Sequence, residues 1–205
     1  MSCVDYVVLA SYVTLLLEIG LFPIASEASV VQLVGRRTES RAPAMLAARA
    51  APLPTRILRY LLPTSLCVSL FVLPILVVMW PTSRPILAPW SAPWLVAPGI
   101  AAVVVGRALT FGSVLQLRAA KRRDELPAGC FRHSRNPGLV GMFLMYAGLC
   151  AAVGGPWLWL GAPLYFLNMH ARVRLEEAEL LARFAGSWQD YERAVPRYLP
   201  LPGLR

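Results

Sequence analysis

Charge is what this sequence has least of. Only 15% of its 205 residues are Asp, Glu, Lys or Arg, while 57% are hydrophobic. A soluble domain of this size rarely combines so few charges with several long apolar runs, so the composition points to a polytopic membrane protein. Lysine is almost missing. Lys121 stands alone against many arginines, a bias that suggests a GC-rich genome and a bacterial inner membrane. Cysteine is scarce and scattered: Cys3, Cys67, Cys130 and Cys150 have no CxxC spacing, and two of them fall inside predicted membrane helices. That excludes a disulfide framework and a cysteine metal site. The opening MSCVDYVVLA lacks a basic n-region, so it reads as a retained first helix and not as a cleaved signal. No internal repeat is present. The net charge of +9 sits on arginines beside apolar segments. That distribution fits the positive-inside rule and anionic lipid headgroups, and no nucleic acid is expected as a partner.

The apolar runs predict an all-α integral membrane protein with about five transmembrane helices and a C-terminal amphipathic cytoplasmic helix. The first span runs from about Val4 to Phe22, has Glu18 near its end and stops at Pro23. Ser26 can then cap a short interfacial helix with Glu27 in its first turn. Residues 35–59 read as a solvated cytoplasmic linker rich in arginine and alanine (Arg36, Arg37, Arg41, Arg49, Arg56, Arg59). The second span, Tyr60 to Trp80, carries Pro63 and Pro74 as expected kinks. An outer loop flanked by Trp80, Trp90 and Trp94 follows. The third span, Trp94 to Leu117, contains Arg107, an ionisable residue at membrane depth and so a functional candidate. A basic stretch leads to the fourth span, Leu139 to Val153. Gly154-Gly155-Pro156 makes a tight hairpin into the fifth, Trp157 to Met169. Both are short for a bilayer and are expected to continue into their polar cytoplasmic ends. The N-terminus then lies outside and the C-terminus in the cytoplasm. The chain reads as one membrane domain, 1–205, with helices and linker in 1–115 and a cofactor-binding region in 116–200.

From Arg172 to Ala194 the pattern turns amphipathic. Leu181, Phe184, Trp188, Tyr191 and Val195 form one face, and Arg172, Glu176, Glu179 and Arg183 form another with i,i+4 and i,i+3 pairing. Glu177 breaks the pattern by projecting towards the apolar side, where a carboxylate needs a partner. Upstream, GCFRHSRNPGLVG gathers Arg132, His133, Arg135 and Asn136 at the mouth of a membrane helix started by Pro137. This is more than a snorkelling anchor requires.

Taken together, RHSRNPGLVG and the later EEAELLARFAGSWQDYERAVPRYLP resemble the isoprenylcysteine carboxyl methyltransferase family and its phospholipid N-methyltransferase relatives, over about Gln116 to Pro200. The resemblance implies a membrane methyltransferase that uses S-adenosyl-L-methionine on a hydrophobic or lipid-like acceptor. By position it places Gln116 and Phe131 in the cofactor pocket and Asn136 where many members have histidine, followed by Pro137 and Leu139. Glu176 matches the cofactor-contacting glutamate, and Arg172 an arginine assigned to the acceptor. Three positions depart from the pattern: Leu139 replaces a tyrosine, Ala185 the glycine of a Phe-Gly pair, and Trp188 the first tyrosine.

The residue chemistry agrees. Glu176 and Glu177 suit the cofactor's cationic groups, while Arg132, His133 and Asn136 suit its carboxylate and diol. Phe131, Trp188 or Tyr191 offer an aromatic platform. Methyl transfer is an in-line displacement governed by positioning and electrostatics. A carboxylate acceptor needs no base; an amine acceptor would use His133 or Glu177. The absence of a Gly-rich strand-to-helix fingerprint excludes a soluble Rossmann-type methyltransferase. Two other readings stay open: a sterol-type membrane reductase using NADPH, and a non-catalytic relative. No metal site is expected.

Overall fold

A reciprocal cap starts the first helix. In the computed structural model of the chain, which describes residues 2–21, 42–88, 92–123 and 128–199, the Ser2 hydroxyl accepts the Asp5 N–H at 3.3 Å. The Asp5 carboxylate in turn accepts the Ser2 N–H at 2.6 Å. This capping box opens α1 (Cys3–Leu21). Asp5 also pairs with Arg84 on a single helical turn, Arg84–Leu87, so the start of α1 is tied to the loop after the third helix. The remaining helices are α2 (Pro43–Ala50), α3 (Leu53–Met79), α4 (Pro93–Arg123), α5 (Pro137–Val153) and α6 (Pro156–Ala194). Among the described residues there is no strand.

Glycine decides how closely α4 and α5 approach. Gly99 and Gly106 on α4 face Gly148 and Gly141 on antiparallel α5. A Cβ on Gly106 would lie 2.5 Å from the Gly141 carbonyl oxygen and the Met145 nitrogen, and one on Gly148 would lie 2.6 Å from the Gly99 carbonyl oxygen. With no Cβ at these four points the backbones approach closely, and small neighbours such as Ala152 and Thr110 pack beside them. On the other side of the seam, Val8, Tyr12, Val78, Val103, Met145 and Leu149 form the main core. Tyr12 donates to the Phe71 carbonyl and Tyr146 to the Leu158 carbonyl, the latter at 2.6 Å, so both buried phenols are satisfied. The Phe71 and Tyr146 rings stack at 5.2 Å.

Arg107, read from the sequence as a functional candidate, is a strut. Its Nη2 lies 2.6 Å from Glu18 Oε2, and its Nε donates to Thr14 Oγ1 at 3.2 Å, joining α4 to α1.

Several expectations change. The kink expected at Pro63 takes the form of a π-helical turn just before it, Ile57–Leu61, where the Leu62 N–H reaches back to the Ile57 carbonyl. The wider turn makes room for the proline ring. Pro74 stays inside α3. The described part of the 35–59 segment, read as a solvated linker, is helical and, though most of its side chains are exposed, one stripe of it docks. Ala42, Met45 and Ala48 are buried with Tyr60 against Leu175 and Ala178 of α6, and the Ala42 N–H donates to Glu179 at 3.3 Å. Ser26, Glu27, Pro23, Arg36, Arg37, Arg41 and Trp90 lie outside the described residues.

Five spans are not reproduced by length and apolarity. Among the described residues, Leu53–Met79 and Pro93–Ala120 are the two helices long and apolar enough to cross a membrane, with mean hydropathies of 2.4 and 1.7. α5 has only 17 residues, and the apolar part of α6 gives way to Asn168, His170 and Arg172. The fifth span and most of the amphipathic helix, read as separate, run on without a break as far as a kink at Ala185, beyond which a second helical piece completes α6. Its backbone leaves helical geometry only at Ala185, at φ 41° and ψ −112°. That is the position where the resembled pattern has glycine, the residue that adopts positive φ without Cβ strain. The hairpin before α6 behaves as expected: Gly154 and Gly155 take φ of 80° and 122°, and Pro156 starts the helix.

Candidate functional site

The buried carboxylate that the sequence left without a partner organises one end of the molecule. Glu177 is 7% exposed on α6. It accepts from Arg197 Nε at 3.1 and 2.9 Å and from Arg197 Nη2 at 2.7 Å, a fork that neutralises it. Those hydrogen bonds hold the Arg197 guanidinium above its ordinary pKa, against the opposing effect of burial. Arg135 Nη1 lies 3.4 Å from Glu177 Oε1 and 2.6 Å from Glu192 Oε1. The four side chains form an alternating network that fixes the tail after α6 over the loop before α5.

Backbone bonds complete the strap. The Arg135 N–H donates to the Pro196 carbonyl at 2.9 Å. Asn136 Nδ2 donates to the Arg197 carbonyl at 3.1 Å, and the Ser134 hydroxyl donates to the same carbonyl at 3.4 Å. Tyr191 donates to the Phe131 carbonyl at 2.8 Å, and its burial pushes the phenol pKa up to about 12.

Beneath the strap is a cavity of about 750 Å³ between α5 and the C-terminal end of α6. Its polar lining is Arg135, Glu192, Arg193, Arg197 and Tyr198, and its apolar lining includes Leu139, Val140, Phe143, Tyr165, Phe166 and Leu199. The Arg135 side chain is 8% exposed, and its Nε–H is buried with no hydrogen-bond partner among the described residues. Left unpaired, a buried donor costs free energy. Phe143 and Phe166 meet edge to face at 6.4 Å, and both remain partly exposed on the outer surface.

The sequence-derived site divides around this cavity. Leu139 lines it directly. Pro137 starts α5 and is buried, while Asn136 holds the tail and does not cap the helix with its side chain. Gln116 and Phe131 support the site from behind. Gln116 Oε1 accepts from the Cys130 N–H at 2.9 Å, and Gly129, at φ 71°, lets the turn sit against that side chain. Of the two glutamates, Glu177 faces the site, through its arginines; Glu176 is half-buried on another face of α6 and does not line the cavity. Arg172 also lies off the cavity, near Met169. Arg132 and His133 are exposed on the outside of the turn Gly129–Arg132 and just after it. Of the proposed aromatic platform, Trp188 is buried against Tyr191 and neither ring lines the cavity. The residues that sequence reasoning passed over are Glu192, Arg193, Tyr198, Phe143, Tyr165 and Phe166. One signal was present: a carboxylate on an apolar face demanded a cation, and the arginine of the VPR tail was among the sources the sequence offered.

Among the described residues no group of His, Cys, Asp and Glu could hold a metal ion. No family model, curated protein or solved structure matches this chain.

Proposed function

We propose that the chain is an integral membrane methyltransferase that transfers a methyl group from S-adenosyl-L-methionine to a hydrophobic acceptor, in the first instance a carboxylate of the isoprenylcysteine type. The observation that carries this reading is a cavity whose lining combines guanidiniums with aromatic and aliphatic side chains. Its volume is in the range of small-molecule sites.

The residues present fit the cofactor by chemistry. Arg135 and Arg193 suit its carboxylate, Glu192 its ammonium, and the faces of Tyr165 and Phe166 its adenine or sulfonium. When bound, that group supplies an electrophilic methyl on a sulfonium. The protein's own part is to align the acceptor oxygen behind that methyl and to keep water out. A carboxylate is already ionised, so no side chain need take a proton. The guanidiniums hold it without being consumed, and Glu177 keeps Arg197 in place. Leu139, in the position of a tyrosine in the resembled pattern, adds to the apolar lining.

The membrane setting is part of the same reading. α3 and α4 present Leu58, Leu66, Val104 and Val105 to the outside, side chains suited to lipid. In this reading α1, α5 and the first half of α6 complete five crossings, with the C-terminus and the arginine-rich loops towards anionic headgroups in the cytoplasm. The acceptor enters from the bilayer past Phe143 and Phe166.

The test is calorimetric binding of S-adenosylhomocysteine in detergent, with NADPH as the comparison ligand. Wild type binds S-adenosylhomocysteine, and Glu192→Gln weakens it at least about tenfold (~1.4 kcal/mol). Binding of NADPH instead replaces this reading with the membrane reductase, and binding of neither leaves a fold without that chemistry.

A further inference from the structure

His170 and Tyr198 form a pair that neither the sequence motifs nor the proposed chemistry uses. Tyr198 Oη lies 2.8 Å from His170 Nδ1. Phe166 stacks on the imidazole at 5.9 Å and packs against the phenol at 5.3 Å. Tyr198 follows directly on Arg197, whose side chain is forked onto Glu177 and whose carbonyl is held by Asn136. The phenol is therefore fixed from the backbone, from its ring face and from its hydroxyl. It lines the cavity between the guanidinium of Arg197 and the ring of Phe166, whereas His170 does not reach the cavity. The hydrogen bond to Tyr198 is the one His170 makes among the described residues, so its polar influence on a ligand passes through Tyr198, while its ring packs on Phe166.

We infer that His170 donates from Nδ1 to Tyr198 Oη and thereby turns the phenolic O–H into the cavity, where it orients the anionic head of the acceptor. Tyr198 is then a specificity-determining residue and His170 its positioning residue. This rests on the reading of the cavity as the acceptor's site. The two donors in series, Nδ1–H to Oη–H to ligand oxygen, polarise one another. Burial raises the Tyr198 pKa, with Arg197 opposing, so the phenol stays a donor at neutral pH. A guanidinium attracts an anion strongly, and a single fixed O–H adds direction. It engages one carboxylate oxygen and leaves the other free to attack the methyl carbon. With the cofactor bound, the methyl would pass from sulfur to that oxygen, the carbon–sulfur bonding pair returning to sulfur. The product ester is neutral, so the guanidiniums lose their hold on it, which favours release.

The experiment measures binding of laurate to the full chain in nanodiscs for wild type, Tyr198→Phe, His170→Leu and His170→Asn, with calorimetry of S-adenosylhomocysteine on the same samples. Tyr198→Phe and His170→Leu weaken laurate about tenfold, the usual effect of losing a hydrogen bond to a charged group, while His170→Asn stays within about twofold because its amide can replace Nδ1–H. S-adenosylhomocysteine binding is unchanged by all of them. Wild-type laurate affinity in Tyr198→Phe, no laurate binding by wild type, or an equal loss in His170→Asn and His170→Leu would overturn the inference. If wild type binds laurate in this pattern but not S-adenosylhomocysteine, the methyltransferase reading fails and the anion-orienting hydroxyl stands.

Discussion

Removing the Glu177 carboxylate should do more damage than any other single truncation at the strap. The side chain is 9% exposed, and it faces Arg135, itself 8% exposed, and Arg197, 33% exposed. In Glu177→Ala, Arg197 loses the three short contacts between 2.7 and 3.1 Å that hold its guanidinium. Arg135 keeps only Glu192, whose side chain is 42% exposed and correspondingly screened. Breaking a buried ion pair from one side costs about 3–5 kcal/mol, because a desolvated charge is left behind. Arg197 can turn partly to water, which places the expected loss near the lower bound, about 3 kcal/mol. For a chain of this length that corresponds to a fall in Tm of roughly 6–12 °C, read by thermal unfolding in detergent. The double variant with Arg197→Ala should recover a coupling of at least about 1 kcal/mol, since each single change strands the other partner. A loss below about 1 kcal/mol, or strictly additive single changes, would refute the view that this clamp holds the tail over the cavity.

Two further perturbations test the fold around it. Gly106→Ala drives a Cβ to 2.5 Å from backbone atoms of α5. It should cost about 2–3 kcal/mol by unfolding, because no flexible side chain is there to yield. Gly112→Ala on the same helix meets nothing within 4 Å, and should be neutral or stabilising by up to about 1 kcal/mol through helix propensity; equal effects at the two sites would sink the seam argument. Ala185→Gly relieves a residue at φ 41°. Strain relief of about 1–2 kcal/mol, set against a flexibility cost of about 0.4–1 kcal/mol in the unfolded chain, leaves a small net gain that a melting curve can resolve. A destabilised variant would mean that α6 does not bend there.

The elements legible in the sequence were those fixed by local rules. Gly154-Gly155-Pro156 could only be a tight connection, and Pro137 after a polar cluster could only start a helix. Spans were harder to count. The pattern change at Met169 looked like the end of one helix and the start of another, yet residues on both sides favour helix and nothing between them breaks it, so α6 continues to Ala185. The docking of α2 was written as a stripe, Ala42, Met45 and Ala48 at a spacing of three, but six arginines across 35–59 hid it behind composition. The capping box of Ser2 and Asp5 and the glycine pairs seven apart on α4 and α5 were also plain in the letters. They were passed over because their meaning depends on which surface they meet.

The site shows the same division between local and long-range information. A glutamate on the apolar side of a helix announces that it has a cation; it does not say which one. Arg172, Arg174 and Arg183 were all nearer in sequence than Arg135, 42 positions earlier by the numbering. The partner was chosen by the direction in which the chain leaves α6. Val195 leaves helical geometry as an extended residue, Pro196 lacks the N–H to continue the helix, and the next residue is Arg197. Once the chain turns back there, Arg197 meets Glu177, twenty residues before it, and the Pro196 carbonyl meets the Arg135 N–H. The cavity is the space that this return path encloses against α5. Its lining therefore comes from residues with no common motif, which is why Phe143, Phe166 and Tyr198 carried no signal that would have grouped them.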